Sequence, residues 1–258
     1  MQILKDKFEL IYSDKSKSEQ DYQAFIEENT SLVPRAFEQN HGVHMDLVFR
    51  KFPLGTRYKS DFLFLSKSTT DWNAVHIEIE DPNKKIFTKG GAFTAEFNAA
   101  VQQVESWIAW LSDPTNLQIF ESSVKSIKQP LGNNPTKHKF VLVYGRRDEL
   151  DTDEKIGAFG AKKSDQFQLM TYDSLFENQK STLNTSSITQ GKIKIHSNCD
   201  LDDNLFNFVN AADFMINEQI RADKIAKLST ALTGVHANIM NENRKKLLSK
   251  WKKTQSYK

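Results

Sequence analysis

Lys59-Ser-Asp-Phe-Leu-Phe-Leu-Ser-Lys-Ser-Thr-Thr-Asp-Trp-Asn-Ala-Val-His-Ile-Glu-Ile-Glu80 is the stretch on which the fold turns. It contains two strand-like apolar runs, Asp61–Leu65 and Ala74–Glu80, joined by the polar loop Ser68–Asn73. The second run alternates with period two. Val75, Ile77 and Ile79 point one way, and His76, Glu78 and Glu80 the other. Asp61 opens the first run, directly before four residues that are apolar on both faces. Three carboxylates on neighbouring strands repel one another unless something positive sits between them. Hard oxygen donors suit a divalent ion such as Mg²⁺ or Mn²⁺. The plainer alternative makes His76, Glu78 and Glu80 the wet face of an antiparallel strand.

Working outward, His44–Phe52 reads as the preceding strand, with Met45, Leu47 and Phe49 on one face, and Pro53-Leu-Gly-Thr56 as its turn. Upstream, Ser18-Glu-Gln-Asp21 is a helix start with an N-cap and a capping-box acid. Tyr22, Phe25 and Ile26 give that helix an apolar stripe. Glu27 and Glu28 follow, and the helix should stop before Pro34. The first twelve residues alternate loosely and are expected as an edge strand. Downstream, Lys84–Gly91 is a basic, glycine-ended loop containing Lys85 and Lys89. Phe93–Leu111 has the clearest helical periodicity, with Gln103 at the border of its buried face. Ser112–Lys137 is expected to be irregular or partly helical. Phe140–Tyr144 is an interior strand, followed by Gly145-Arg146-Arg147 at its end, and Phe167–Thr171 is one more short strand.

The Ser-, Thr- and Asn-rich stretch reads as a linker. These features divide the chain into a domain over 1–180, a linker over 181–190, and a helical, basic C-terminal extension over 191–258. From Asn241 to Lys258 seven lysines and arginines stand against one glutamate, net +6, whereas the whole chain is only +2. Such a tail is either a solvated terminus or a surface for a polyanion. At 258 residues with 38% hydrophobic and 26% charged residues, the composition is that of a globular protein. It lacks an apolar run of membrane-spanning length and a signal-peptide pattern at Met1–Leu10. One cysteine, Cys199, excludes an internal disulfide framework and a cysteine zinc cluster. The expected setting is the cytoplasm, without a membrane partner.

The order helix, three-strand meander, long helix, buried strand, helix or loop, strand is that of the restriction-endonuclease-like core. The expected class is therefore α/β, a mixed central sheet flanked by helices. Several segments, in order, also resemble the Shedu family of prokaryotic antiviral nucleases. They are Ser18–Glu27, Ser60-Asp61, Glu78-Ile-Glu80-Asp-Pro82 with Ile86–Gly90, Gln103–Trp107, Val143–Arg147 and Thr171-Tyr-Asp173. The resemblance covers roughly residues 18–176.

It implies a metal-dependent DNA nuclease with a PD-(D/E)xK-type site, in which Asp61 and Glu78 match the two acids. Glu27 and Gln103 occupy positions that often complete such sites. Where the pattern has lysine, this chain has Glu80, a further metal ligand or a base on metal-bound water. A substitute lysine is sought at Lys59, which shares a strand face with Asp61, or at Lys89 on the loop. Arg146, Arg147, Lys85, Lys89 and the tail lysines are the expected phosphate contacts. A homo-oligomer, dimer or tetramer, fits a nuclease that nicks or cuts both strands. Two alternatives stay open: an inactive DNA- or DNA-end-binding module, and a self-assembling scaffold paired through the C-terminal helices.

Overall fold

The computed structural model describes residues 2–177, 180–230 and 238–258, with side chains from 242 onward in the last segment. Among these residues nine strands form one mixed sheet in the order β5-β4-β3-β2-β1-β6-β7-β8-β9. The meander is β1 (Val43–Leu54), β2 (Tyr58–Lys67) and β3 (Trp72–Ile79), all antiparallel. Strand β4 (Thr136–Val143) joins β3 in parallel, and β5 (Phe167–Met170) joins β4 in parallel. Every residue of β3 is buried, as a strand covered on both faces requires.

Two cores lie on the two faces of the sheet. Val48, Phe62, Phe64, Val75 and Ile77 face α1 (Gln2–Ser13), α2 (Glu19–Glu28) and the one-turn α6 (Tyr172–Leu175). Phe49, Leu63, Leu65 and Ala74 face α3 (Ala95–Ser112), α4 (Pro114–Val124) and α5 (Asp153–Ala161). Helix α2 begins where its cap predicts: the Ser18 amide donates to Asp21 Oδ2 at 2.9 Å. Thr94 caps α3 by accepting from the Phe97 amide at 3.1 Å. Gly145 ends β4 at φ +61°, and a Cβ there would stand 2.8 Å from Ile86 Cγ1. The absence of that carbon lets the 82–93 loop close over the strand end.

Three expectations are corrected. The first twelve residues form helix α1, not an edge strand. Leu4, Phe8 and Ile11 are spaced four and three apart and pack inward, while of the four residues of the apparent alternation, Ile3, Phe8, Leu10 and Tyr12, Ile3 and Leu10 are exposed. The stretch expected as a linker supplies β6 (Asn184–Thr189), which pairs in parallel with β1. The C-terminal part is not simply helical. It adds β7 (Lys192–His196), β8 (Phe214–Asn217) and β9 (Gln255–Tyr257) to the sheet, with α7 (Glu218–Thr230) and α8 (Asn238–Lys253) between the last two. Within Ser112–Lys137, expected to be irregular or partly helical, α4 forms because Asp113 caps it and Pro114 pre-sets its first turn. Among the described residues no helix is long and apolar enough to cross a membrane.

Candidate functional site

The backbone ladder between β2 and β3 ends at Phe62 and Ile77. Beyond that pair Asp61 takes over from the backbone: its Oδ2 accepts from the Ile79 amide at 2.8 Å. Its other oxygen, Oδ1, accepts from Lys51 Nζ at 2.6 Å. Lys51 stands on β1, bracketed by the pairs Arg50–Phe62 and Phe52–Ser60, and so lies directly across from Asp61. Continuing one step past Phe62–Ile77 brings Asp61 to Glu78. A basic and two acidic side chains thus follow one another across three adjacent strands.

Glu78 is 6% exposed. Its Oε1 accepts from Gln103 Nε2 of α3. Its Oε2 is buried and has no hydrogen-bond partner. Burial pushes the Glu78 pKa well above the ordinary glutamate range, and the negative charges of Asp61 and Glu80 push it further. Burial also raises Asp61, against the pull of Lys51 and the Ile79 amide. Glu80 is raised by burial too, while Lys84 opposes the shift by donating to its Oε2. Lys84 reaches Glu19 Oε2 as well, at 3.3 Å. Burial would lower Lys84, but the two carboxylates outweigh it and hold the ammonium charged.

Of the residues singled out from sequence, Asp61, Glu78, Glu80 and Gln103 come together here. Glu27 does not join them. It accepts from Arg50 Nη1 at 2.9 Å and from Gln23 at 3.1 Å, while Asp61, Glu78 and Glu80 all feel the charge of Glu19 from the start of α2. Lys59 and Lys89 are exposed and make no ion pair with the carboxylates. Lys85 pairs loosely with Glu149 at 3.8 Å. Arg146 is spent on structure: it bonds Asp173 at 2.9 Å and Glu9 at 2.8 Å, and lies 4.5 Å from the centre of the Tyr12 ring. Arg147 pairs with Glu177.

Lys51, Lys84 and Glu19 were not singled out. Lys51 had a signal: Met45, Leu47 and Phe49 set a core-facing phase that places a lysine at position 51 on the same face. Its φ of +47° is also left-handed, a conformation that a lysine adopts at a cost of roughly 1–3 kcal/mol. Lys84 stands four residues after Glu80, in the loop already noted as basic. Glu19 had only the signature of a first-turn acid at a helix start, which says nothing about what the helix end meets.

Among the described residues no group of three His, Cys, Asp or Glu side chains is placed to hold a metal ion. The donor set that is present, Asp61 with the unpartnered Glu78 Oε2, fits a different mode. Magnesium is commonly held by one or two carboxylates and completed by water and substrate phosphate. Lys51 is the exposed side of the cluster, its side chain half accessible against 6% for Asp61.

Residues 16–176 match the family model described as Shedu protein SduA, C-terminal. The chain belongs to the Shedu family. Membership implies a role in anti-phage defence. A search of curated proteins gave no match. The Shedu match spans α2 to the end of α6 and holds every residue of the acidic cluster together with Lys51, Lys84 and Gln103. Strands β6–β9 and helices α7 and α8 lie beyond it.

Proposed function

We propose that this Shedu protein is a metal-dependent DNA nuclease with a restriction-endonuclease-like core of PD-(D/E)xK type, acting against phage DNA in the cytoplasm as a dimer or tetramer. The observation that carries the reading is the buried, unpartnered Glu78 Oε2 beside Asp61. A buried carboxylate oxygen without a donor is costly, and a fold retains it where a cation or reacting group completes it.

Asp61 and Glu78 are the residues that would hold Mg²⁺ or Mn²⁺. Bound there, the ion would acidify a water and offset charge on the phosphate. Gln103 fixes one oxygen of Glu78, leaving the other available. Lys51 supplies the positive charge that Glu80 cannot. From β1 its ammonium can leave Asp61 for a phosphate oxygen or a nascent hydroxide while staying in the same opening. Glu80, engaged by Lys84, acts as a base or outer ligand once that pair opens.

A second reading, nucleic-acid binding without cleavage, is favoured by one observation: Asp61 is already engaged by Lys51. Supercoiled and linear DNA incubated with Mg²⁺ or Mn²⁺ separates the two. Nicking or cutting by wild type, lost in Asp61→Ala and Glu78→Ala, supports the nuclease. Equal cutting by the variants removes the site assignment, and binding without cutting under either ion establishes the second reading.

A further inference from the structure

The surface beyond the family match has its own chemistry. Helix α8 turns Leu247 and Leu248 inward against the core, and Trp251 is fully buried with its Nε1 donating to the Asp203 carbonyl at 2.9 Å. The outward side carries Lys245, Lys246, Lys252 and Lys253, all exposed. Glu242, the acid on that side, already pairs with Lys245 at 2.9 Å. Between α8 and the 202–210 loop runs a groove of about 490 Å³. Lys246, Lys250 and Lys253 enter it from α8 at spacings of four and three, so they form one stripe. Asn204 and Asn207 form the facing wall.

That wall is built rather than loose. Asn207 donates through Nδ2 to Asn204 Oδ1 at 3.0 Å, the Asn204 amide donates to Asp202 Oδ1 at 2.8 Å, and Lys250 Nζ ties the wall to the helix through the Asn207 carbonyl at 3.0 Å. The next residue, Phe208, is 66% exposed. No other phenylalanine or tryptophan among the described residues is exposed. A row of ammonium groups with a solvent-facing aromatic ring on the residue that follows the groove wall is the combination that holds unpaired nucleic acid: phosphates follow the cations while a base stacks on the ring. Among the described side chains of α8, the apolar ones, Leu247, Leu248 and Trp251, pack against the core, so from residue 242 onward its outward side offers a lipid surface charge and no apolar face. Arg146 and Arg147, at the end of β4, are held in ion pairs and leave phosphate contacts to other cations.

We propose that the α8 groove is a binding surface for single-stranded nucleic acid, with Lys246 and Lys253 on phosphates and Phe208 stacked on a base. It goes beyond the nuclease reading and does not depend on it, since a chain that never cuts can still bind here.

The test is fluorescence anisotropy with a labelled oligothymidine, on the full chain carrying Asp61→Ala, in EDTA, over a salt series. Lys246→Gln/Lys253→Gln should weaken binding and reduce the slope of log K against log salt by about 1.4, two phosphates at about 0.7 each. Phe208→Ala should weaken binding on the order of ten-fold with the slope unchanged. All positions are exposed, and unchanged thermal unfolding verifies that the variants fold. Variants that bind as the parent does overturn the proposal. So does an equal loss on a blunt duplex of the same length, which would mark a surface for backbone charge alone. So does loss of binding to phosphatidylserine vesicles with oligothymidine binding intact. Failure of Mg²⁺-dependent cutting would refute the nuclease and leave this result untouched.

Discussion

Replacing Glu78 by glutamine should make the metal-free protein more stable. The substitution keeps shape and the contact with Gln103 but removes a charge buried beside Asp61. Two unit charges about 4–6 Å apart interact by roughly 3–4 kcal/mol at an effective dielectric near 20. Lys51, half exposed and bonded to Asp61, offsets part of this, leaving a net gain of about 1–2 kcal/mol. For a chain of this size that is a rise in Tm of roughly 3–6 °C.

The pH dependence gives the sharper signature. The Glu78 pKa is raised on folding, so its favourable contribution is present below the unfolded value of 4.5 and is lost as pH rises through the folded value. The gap between Glu78→Gln and wild type should therefore be near zero around pH 4.5 and widen upward until Glu78 is ionised. Thermal unfolding in EDTA from pH 5 to 8 measures it. Added Mg²⁺ should raise wild type alone, by about 1.4 kcal/mol at ten times its Kd, and narrow the gap. A variant less stable than wild type at pH 8, or a gap that shrinks as pH rises, would refute the reasoning.

Two further outcomes are expected. In single-turnover cleavage, Lys51→Met should slow cutting by about 10²–10⁴-fold with DNA affinity little changed, and Lys84→Met should cost less than about ten-fold; the reverse ranking would give the lysine role to Lys84. Arg146→Met should destabilise the fold by about 1–3 kcal/mol in urea unfolding, because it leaves the largely buried Asp173 with the Arg147 amide alone, while Glu9 is open to water. It should leave the salt slope of DNA binding unchanged, and a smaller slope would return Arg146 to the nucleic-acid interface.

The meander and the long helix were legible from their apolar patterns: a run apolar on both faces in β2, alternation in β3, and three- and four-residue spacing in α3. The strand β6 was not, because its residues are Asn, Thr and Ser. Asn184, Thr185 and Ser186 are nonetheless buried, and their polar atoms are satisfied. Asn184 Oδ1 accepts from the Asn198 and Cys199 amides at 2.9 and 3.2 Å, and Ser186 Oγ donates to the Val48 carbonyl at 3.3 Å. Burial of that kind depends on partners up to 138 residues away, and no local pattern encodes it. Helix α1 was missed for the opposite reason: the exposed Ile3 and Leu10, taken together with Phe8 and Tyr12, imitated a strand's alternation.

The same distinction explains the lysine. A motif fixes spacing along one strand, where a residue two positions after Glu78 lies about 6–7 Å away on the same face. Electrostatics fixes only distance, and a neighbouring strand is about 4.8 Å away, closer than the next position along the chain. Lys51 therefore reaches Asp61 as readily as any residue at position 80 could, although 27 residues separate it in sequence from Glu78. Its left-handed backbone also shifts the phase of β1: Phe49 and Phe52, three apart, enter the same core, and the lysine stands between them at the opening of the cluster. On the proposed nuclease reading, the positive charge supplied from β1 releases position 80 from carrying it, and a glutamate held by Lys84 can occupy it without leaving the acids unbalanced.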